Sequence, residues 1–441
     1  MFALSFGSFT AVVPTWHGFS AAQRRAFAAD FWQERPLIVR GLLSAEELET
    51  FCPLTPADVL DLSCEPAAVS RLVRESGGES PWELRHGPFD HSELPELDET
   101  GSAEDSLWTV LVNQVDRAVP EVEALRDRVA DFVPRWRVDD VMVSYAKAGC
   151  SIGAHVDNYD VILLQGRGSR SWSFQLAGRS CADEVLVEGA SVRVLTHFSA
   201  EAEVVLQPGD ALYLPPRLAH HGVSTSNDCI TYSIGFRAPT AAELLRAFGE
   251  RLAERTPADA LFRVPGGVPG GAAESAVADG AAAARGLVDG ATVARAREIL
   301  EDAVEIFLAD EAALAEWLGC ALTAPRRAAD GGGADDGSGG WGAGEGNSLA
   351  EEIASGESGR LLLRHTEGAV LAYVDAPVRA LFLDGAPVLV APDALPHLPL
   401  LCDARRVTTE ELRAPLSESA GLRALLDELV RRDALYVDVE L

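Results

Sequence analysis

Six short apolar runs between residues 138 and 238 constrain the fold of this chain more than any other feature. Each run is rich in β-branched or aromatic residues and is bounded by Gly, Pro, Asn or Asp, which is the pattern of β-strands separated by tight turns. The runs are DVMVSYAKAG, DVILLQGRG, RSWSFQLAG, SVRVLTHF, EVVLQPGDALYLPP and CITYSIGFRAP. Many short strands at close spacing predict a β-barrel or a double-sheet jelly roll.

The segment before these strands has mostly helical patterns. Ser20 stands at an N-cap position, Ser44 is followed by Glu47 as in a capping box, and Pro120 lies near the first turn of another helical run. FWQERPLIVRGLL ends in a β-branched run that predicts a first strand. We expect the remainder of the first 110 residues or so to be helices and loops that wrap around the strands.

The chain beyond Pro239 has a helical pattern and then changes again. TAAELLRAFGERLAERT begins with Thr240 as an N-cap, and TVARAREILEDAVEIFL and DEAALAEWLGCAL follow in the same style. Residues 329–348 are acidic and glycine-rich, which predicts a flexible linker. Residues 349–441 mix strands and helices in the order of a small winged-helix-like module. The pattern therefore predicts an α+β chain.

The charge of the chain excludes some functions. The formal net charge is −31, so the overall field repels nucleic acid and attracts a basic partner such as a ribosomal protein. Residues 351–441 contain 16 acidic and 9 basic side chains, the opposite of what a DNA-binding module needs. We therefore predict no direct DNA binding by the winged-helix-like module.

Cysteine usage and the N-terminus indicate the compartment. The seven cysteines never occur as C-x-x-C, which argues against a disulfide framework and a thiolate zinc site. The first twenty residues lack the basic region of a signal peptide, and no apolar run approaches the ~20 residues that span a bilayer. We predict a soluble, cytoplasmic protein with no membrane partner.

His155 and Asp157 are the first candidates for chemistry. Side chains two apart on an extended chain leave the same face, so the two point together. His220 and His221, after LYLPP, offer a second imidazole, but adjacent side chains alternate and the spacing does not choose between them. Two imidazoles and one carboxylate leave three coordination positions open, an arrangement that suits Fe(II) in oxygenases.

Arg170 adds a cosubstrate to this prediction. It lies thirteen residues past Asp157, on the next predicted strand, and its planar fork suits a carboxylate in a buried pocket. The open metal positions would take the 2-oxo group and one carboxylate of 2-oxoglutarate, with the last left for dioxygen. Arg170 would bind the far carboxylate, and hydroxylation of a nearby C–H bond is the simplest outcome.

Two other classes of function compete with this interpretation. A metal-binding cupin without oxygenase activity would need the histidines, but it gives Arg170 no purpose. A non-catalytic scaffold would use the histidines as polar groups of the core.

Several neighbouring side chains are interpreted as structural. Asp160 is assigned a structural hydrogen bond, Trp108, Trp172 and Phe174 are assigned to the core, and His197 is assigned no role.

The ordered motifs resemble a known family. HVDNYDVILLQGRGSRSW, YLPPRLAHHG and YSIGFRAP look like the JmjC-type ribosomal oxygenases of bacteria, which belong to the cupin superfamily. The similarity extends upstream to FWQERPLIVRG and WELRHGPF and downstream to EWLGCALTAPR. It covers most of the chain apart from the glycine-rich linker.

The resemblance implies a double-stranded β-helix (jelly-roll) core at about 95–238 within an oxygenase domain at 1–239. It further implies a helical segment at 240–328 that forms a homodimer, and a winged-helix-like domain at 349–441 after the linker. The implied iron ligands are His155, Asp157 and His220; Arg170 and Ser233 are implied to hold 2-oxoglutarate. The implied substrate is an arginine of large-subunit ribosomal protein L16, with a histidine or another protein as the alternative.

Overall fold

The computed structural model describes residues 13–75, 82–94, 107–176, 184–263, 288, 290–325, 348–356, 360–366, 368–376, 378–403 and 405–438. These residues form two compact units, one that ends at Ala238 and one that begins at Pro239. The linker predicted at 329–348 lies outside the described residues except for Ser348.

The first unit contains twelve described strands. They are β1 Thr15–His17, β2 Leu37–Arg40, β3 Ser70–Glu75, β4 Trp82–His86, β5 Leu107–Val112, β6 Val138–Ala146, β7 Asp160–Arg167, β8 Arg170–Gln175, β9 Ala202–Leu206, β10 Ala211–Leu214, β11 Ala219–Ser224 and β12 Cys229–Phe236. Nine form a large sheet in the order β1-β2-β10-β7-β12-β6-β5-β3-β4, and three form a small sheet in the order β11-β8-β9. All neighbours pair antiparallel except β1 and β2.

Four α-helices and three 3-10 turns complete the described part of this unit. The helices are α1 Ala21–Asp30, α2 Ala45–Phe51, α3 Pro56–Cys64 and α4 Pro120–Ala130, and the turns are His91–Glu93, Val115–Arg117 and Arg135–Arg137. The N-cap at Ser20, the capping box at Ser44 and the start of α4 at Pro120 are confirmed, and Gln23 completes a capping box with Ser20 as well. These signals are local, so they survive in any tertiary context.

The large sheet has two buried faces, which is why its strands read as nearly continuous apolar runs. One face packs with the helices around Phe27, Leu125 and Tyr232, none more than 1% exposed. The opposite face packs on the small sheet, where Leu163 and Leu212 of the large sheet join Trp172, Phe174 and Leu206. The predicted mixed fold with facing β-sheets is confirmed, and the candidate side chains lie between the sheets.

Two predictions of local structure were wrong. The first 110 residues contribute five strands of the large sheet, not only helices and loops around one strand. SVRVLTHF forms no strand apart from an isolated bridge between Leu186 and Leu195. Val194 and Leu195 of this run are buried, although they lie in a loop. In both cases long-range pairing, which a local pattern does not contain, decided the outcome.

The second unit combines the predicted helical segment with the C-terminal residues. Its α-helices are α5 Ala241–Arg255, α6 Gly290–Ala309, α7 Glu311–Thr323, α8 Leu349–Ser355, α9 Leu398–Cys402, α10 Thr409–Glu418 and α11 Ala420–Arg431, with a 3-10 turn at Leu395–His397. Its strands are β13 Leu362–His365, β14 Leu371–Val374, β15 Ala380–Leu383, β16 Ala386–Val388, β17 Arg406–Thr408 and β18 Leu435–Asp438. They pair as β17-β13-β18 and β14-β15-β16.

Direct contacts join the helical segment to the C-terminal strands. A Cβ added at Gly319 of α7 would stand 2.3 Å from the Phe382 ring of β15, so the helix and the strand touch. The Gly385 N–H donates a hydrogen bond of 3.0 Å to the Thr323 hydroxyl. The two segments, predicted as separate parts of the chain, therefore fold against each other.

Within the described part of the chain, no helix has the length and apolar character needed to cross a bilayer.

Candidate metal centre

The first histidine is held opposite the second by a short ladder of backbone hydrogen bonds. The chain at 149–155 runs beside β11: Gly149 N–H donates to Ser224 O, and Ser224 N–H donates to Cys150 O, at 2.8 and 3.0 Å. Further along, His155 and His220 exchange two backbone hydrogen bonds of 3.0 Å. Residues 65 apart in sequence thus become direct cross-strand neighbours, with ring centroids 4.3 Å apart.

Asp157 completes the group. Its Oδ2 lies 3.6 Å from Nε2 of His220 and 3.9 Å from Nε2 of His155. One potential ligand atom from each of the three residues lies within 4.8 Å of the others, and no other such group of His, Cys, Asp and Glu occurs among the described residues. The structure therefore brings together the three side chains that the sequence analysis singled out.

Hydrogen bonds orient both imidazoles. Nδ1 of His155 lies 2.9 Å from the Gly153 carbonyl oxygen, and Nδ1 of His220 lies 2.9 Å from the Leu218 carbonyl oxygen. A carbonyl only accepts, so each Nδ1 carries the proton and each Nε2 keeps its lone pair. Both lone pairs belong to the atoms nearest Asp157, and two imidazole nitrogens with one carboxylate oxygen fit a divalent metal ion.

Burial keeps the His220 imidazole neutral. The side chain is 3% exposed, and burial, with His155 as a smaller cause, lowers its pKa to about 4 although Asp157 acts in the opposite direction. A metal ligand must present an unprotonated nitrogen. His220 meets this condition at neutral pH without losing a proton.

The structure shows which of the adjacent His220 and His221 joins the group, a choice that the sequence spacing left open. The His221 side chain points to the side of β11 opposite that of His220. Its Nε2 lies 2.8 Å from the Ser151 hydroxyl, and its ring centroid lies 6.0 Å from that of Phe198. It is half-buried, and its hydrogen bond to Ser151 keeps it away from Asp157.

Arg170 lies on the same face of the small sheet as His220. In the register of β8 and β11, His220 faces Phe174, Gly222 faces Trp172 and Ser224 faces Arg170. The Trp172 ring therefore lies between the two functional side chains, 5.8 Å from the His220 ring and 5.7 Å from the Arg170 Cζ. Gly222 leaves room for this ring, because an added Cβ would approach it to 2.6 Å.

The Arg170 guanidinium is buried with unused donors. The residue is 4% exposed, and its Nε donates to the Cys229 Sγ at 3.4 Å. Its Nη2 is enclosed and has no hydrogen-bond partner within the described part of the chain. An enclosed guanidinium nitrogen without a partner is costly, so a carboxylate is the complement this geometry favours.

Ser233 lies on the large sheet, away from the end of β12 that Arg170 contacts. It lies on β12, 8% exposed, on the face that also carries Thr231 and Cys229. Four strand residues separate it from Cys229, which corresponds to about 13 Å along the strand. A contact of Ser233 with the carboxylate held by Arg170 stays a prediction.

The side chains interpreted as structural lie in the interior. Asp160 is fully buried and accepts hydrogen bonds from the Tyr213 hydroxyl and, at 3.0 Å, from the Gln33 side chain. Burial raises the pKa of Asp160 in spite of these bonds. Trp108 and Phe174 are core residues, while Trp172 is both core and a wall of the site. His197 is exposed.

Sequence reasoning missed one charged residue near Arg170. Lys147 is 7% exposed, and its Nζ is enclosed without a hydrogen-bond partner among the described residues. No metal-ligand or catalytic spacing marks this position. One signal was available, because Lys147 is the only lysine in the chain.

Part of the chain matches a known domain family and curated relatives. Residues 128–244, which include all the site residues named above, match the family described as JmjC domain. A probable ribosomal oxygenase of Haemophilus influenzae is 33% identical over 233 residues, and the ribosomal protein uL16 3-hydroxylase of Escherichia coli is 33% identical over 230 residues. These alignments cover 52% of this chain and 54% and 56% of the relatives, so the chain spans about half the length of the curated relatives it matches.

Solved structures show the same fold over most of the chain. The ribosomal oxygenase YcfD of Escherichia coli, in complex with cobalt and succinic acid, superposes with a TM-score of 0.67 at 24% identity and covers 94% of this chain and 98% of its own. The same protein in complex with cobalt and 2-oxoglutarate gives a TM-score of 0.66 with the same coverage.

Proposed function

We propose that this chain, whose residues 128–244 form a JmjC domain, is an Fe(II)- and 2-oxoglutarate-dependent hydroxylase of a ribosomal protein. The observation that carries the proposal is the convergence of His155, Asp157 and His220 at one point, with a buried, incompletely paired Arg170 on the same face of the small sheet as His220. A metal site without oxygenase chemistry would explain the three ligands and leave Arg170 without a purpose.

The residues have distinct roles in this proposal. His155 and His220 would bind the metal through Nε2, and Asp157 would supply the negative charge that favours a divalent ion. Bound Fe(II) supplies the activation of dioxygen, coupled to conversion of 2-oxoglutarate into succinate and carbon dioxide. Arg170 would hold the far carboxylate, and Trp172 excludes water between Arg170 and the metal ligands. Ser233 is proposed to assist in holding the cosubstrate.

The proposed substrate is an arginine of ribosomal protein uL16. Two lines of support favour a ribosomal target: the names of the relatives and the net charge of −31, which attracts a basic protein. A histidine, or a residue of another protein, is the alternative. The proposal places the enzyme in the cytoplasm with the ribosome, as a homodimer formed through residues 240–328, with the C-terminal residues as a winged-helix-like domain that does not bind DNA.

Mass spectrometry of ribosomal proteins tests the substrate. We compare cells that carry the gene with cells that lack it, and with cells complemented by the wild type or by Asp157→Ala. We expect one uL16 peptide to carry the mass of one added oxygen atom only in cells with active enzyme. Unchanged ribosomal peptides in all four strains would reject the ribosomal substrate.

A reaction with purified protein tests the chemistry separately. Conversion of 2-oxoglutarate to succinate should require Fe(II) and dioxygen, and Asp157→Ala should abolish it because the charged ligand is lost. His197→Ala, which changes an exposed histidine outside the group, should retain full turnover. Succinate formation that is the same with and without Fe(II) would overturn the oxygenase assignment.

A further inference from the structure

Lys147 is an unusual residue for this chain. The sequence uses arginine at every other Lys or Arg position, and its single lysine is among the least exposed charged residues, at 7%. Its Nζ is enclosed and has neither a hydrogen bond nor an ion pair in the part of the chain that the structure describes. Burial of an ammonium group without a partner is unfavourable, so such a group is expected where an anion binds.

The backbone places Lys147 close to Arg170. Lys147 directly follows Ala146, the last residue of β6, and Ala146 faces Cys229 of β12 in the sheet register. Cys229 Sγ is the atom to which Arg170 Nε donates, at 3.4 Å. Arg170 therefore reaches from the small sheet to Cys229 of the large sheet, and the backbone of Lys147 lies one residue beyond the cross-strand partner of Cys229.

A second connection runs through the turn after β6. Cys150 N–H donates to the Lys147 carbonyl, and the Cys150 carbonyl accepts from Ser224 N–H, both at 3.0 Å. Ser224 is the cross-strand neighbour of Arg170. Lys147 and Arg170 thus belong to one corner between the two sheets.

The positive charges of Arg170 and Lys147 both affect the pKa of the Cys150 thiol. Burial raises its pKa, while the Trp108 and Lys147 backbone hydrogen bonds and then the Arg170 and Lys147 side-chain charges lower it. Both positive charges therefore act on the same thiol. The corner therefore holds two cations, each with an enclosed donor nitrogen and without a carboxylate partner among the described residues.

We propose that Lys147 and Arg170 together bind the far carboxylate of 2-oxoglutarate, with Lys147 as a second, specificity-determining cation. The inference rests on the proposed function and deepens it. Two cations fit a dicarboxylic 2-oxo acid, because the two oxygens of its far carboxylate can accept hydrogen bonds from both, whereas a monocarboxylic 2-oxo acid would leave both unpaired. The guanidinium supplies a fixed planar fork, and the ammonium supplies a compact charge that approaches from another direction.

Binding measured without turnover tests the inference. Isothermal titration calorimetry of the full chain loaded with Mn(II) in the absence of dioxygen gives the Kd for 2-oxoglutarate. Lys147→Met keeps an unbranched side chain that is one heavy atom shorter and removes the charge, so we expect the Kd for 2-oxoglutarate to rise at least tenfold, with Mn(II) affinity unchanged. Arg297→Met, in α6 of the other unit, is the matched loss of charge and should leave both constants unchanged.

Nuclear magnetic resonance of the wild type keeps the test independent of how the variant folds. With a single lysine, protein labelled with ¹⁵N-lysine gives one side-chain Nζ resonance. In the Zn(II)-loaded protein, 2-oxoglutarate should shift this resonance and 2-oxobutyrate, which lacks the far carboxylate, should not.

The outcomes separate the inference from the proposed function. If Arg170→Met weakens 2-oxoglutarate binding while Lys147→Met and the Nζ resonance show no response, the role of Lys147 is rejected and the oxygenase proposal stands. If the metal-loaded wild type does not bind 2-oxoglutarate at all, the proposed function itself is rejected.

Discussion

Among single residues, the candidate metal site is supported by a chain of hydrogen bonds that begins on the far side of β11. His221 contacts the Ser151 hydroxyl at 2.8 Å, Gly153 N–H donates to that hydroxyl at 2.9 Å, and the Gly153 carbonyl holds Nδ1 of His155 at 2.9 Å. His221 is thus a positioning residue for His155, because groups that orient a ligand contribute to metal affinity.

Replacement of His221 tests this role. We expect His221→Ala to weaken Mn(II) binding by about tenfold, in the range found for partners that orient metal ligands. The free energy of unfolding should fall by only about 1 kcal/mol, the value of one hydrogen bond. Competitive metal titration and urea unfolding measure the two effects, with His197→Ala as the exposed control. Equal metal affinity in both variants would show that Ser151 holds the loop without His221.

At the scale of elements, α4 is joined to β6 by buried charges away from the metal site. Arg126 of α4 forms an ion pair with Asp116 in the preceding 3-10 turn, and both side chains are at most 2% exposed. Asp116 also accepts a hydrogen bond of 2.9 Å from Val141 N–H of β6. The ion pair therefore anchors the helix on the large sheet through directed bonds as well as apolar contacts.

Asp140, beside this ion pair, makes stability depend on pH. Burial, with the negative charges of Asp139 and Asp116 as smaller causes, raises its pKa from 3.8 to about 6. A raised carboxyl pKa means that the folded state binds the proton more tightly than the unfolded state. Its contribution to stability is therefore fully present below pH 4 and is lost as pH rises to about 6.

Asp140→Asn should remove this penalty while its side-chain oxygen still accepts from Gln114 N–H, a bond of 3.0 Å in the native protein. We expect the variant to be more stable than the wild type at pH 7.5 by on the order of 2 kcal/mol, and much less so at pH 4.5. Urea unfolding at both pH values measures the difference. A gain of equal size at both pH values would mean that the proton on Asp140 is not its cause.

At the scale of the whole molecule, the unit that begins at Pro239 exposes apolar side chains on its helices. Leu245 of α5 and Leu300 and Ile306 of α6 are 68%, 64% and 70% exposed. Large apolar side chains that stay exposed on helices are frequent in surfaces that bind a partner. This observation supports the proposed homodimer through residues 240–328.

Light scattering checks the assembly. The wild type should have a molar mass of twice the 46.9 kDa of one chain. Leu300→Glu combined with Ile306→Glu should give a monomer, because two buried charges at an interface are strongly unfavourable. Leu389→Glu, at a residue that is 96% exposed and outside the helical segment, should leave the dimer intact. A monomeric wild type would reject the proposal.

The sequence by itself determined the local features of this protein. The caps at Ser20, Ser44 and Thr240 occur as predicted because their hydrogen bonds span only three residues. Most of the strand runs were recognised for a similar reason, since alternation and turn residues are read within one element. The candidate residues His155, Asp157 and Arg170 were also named from chemistry and spacing alone.

Only the tertiary structure decided which side chains meet. The ladder between 149–155 and β11 turns His220 toward Asp157 and His221 toward Ser151, a choice that the spacing left open. Pairing across the two sheets also brings Lys147 and Arg170 to the same corner. Such contacts join residues tens of positions apart through strand register, and register is set by the whole sheet rather than by any local pattern.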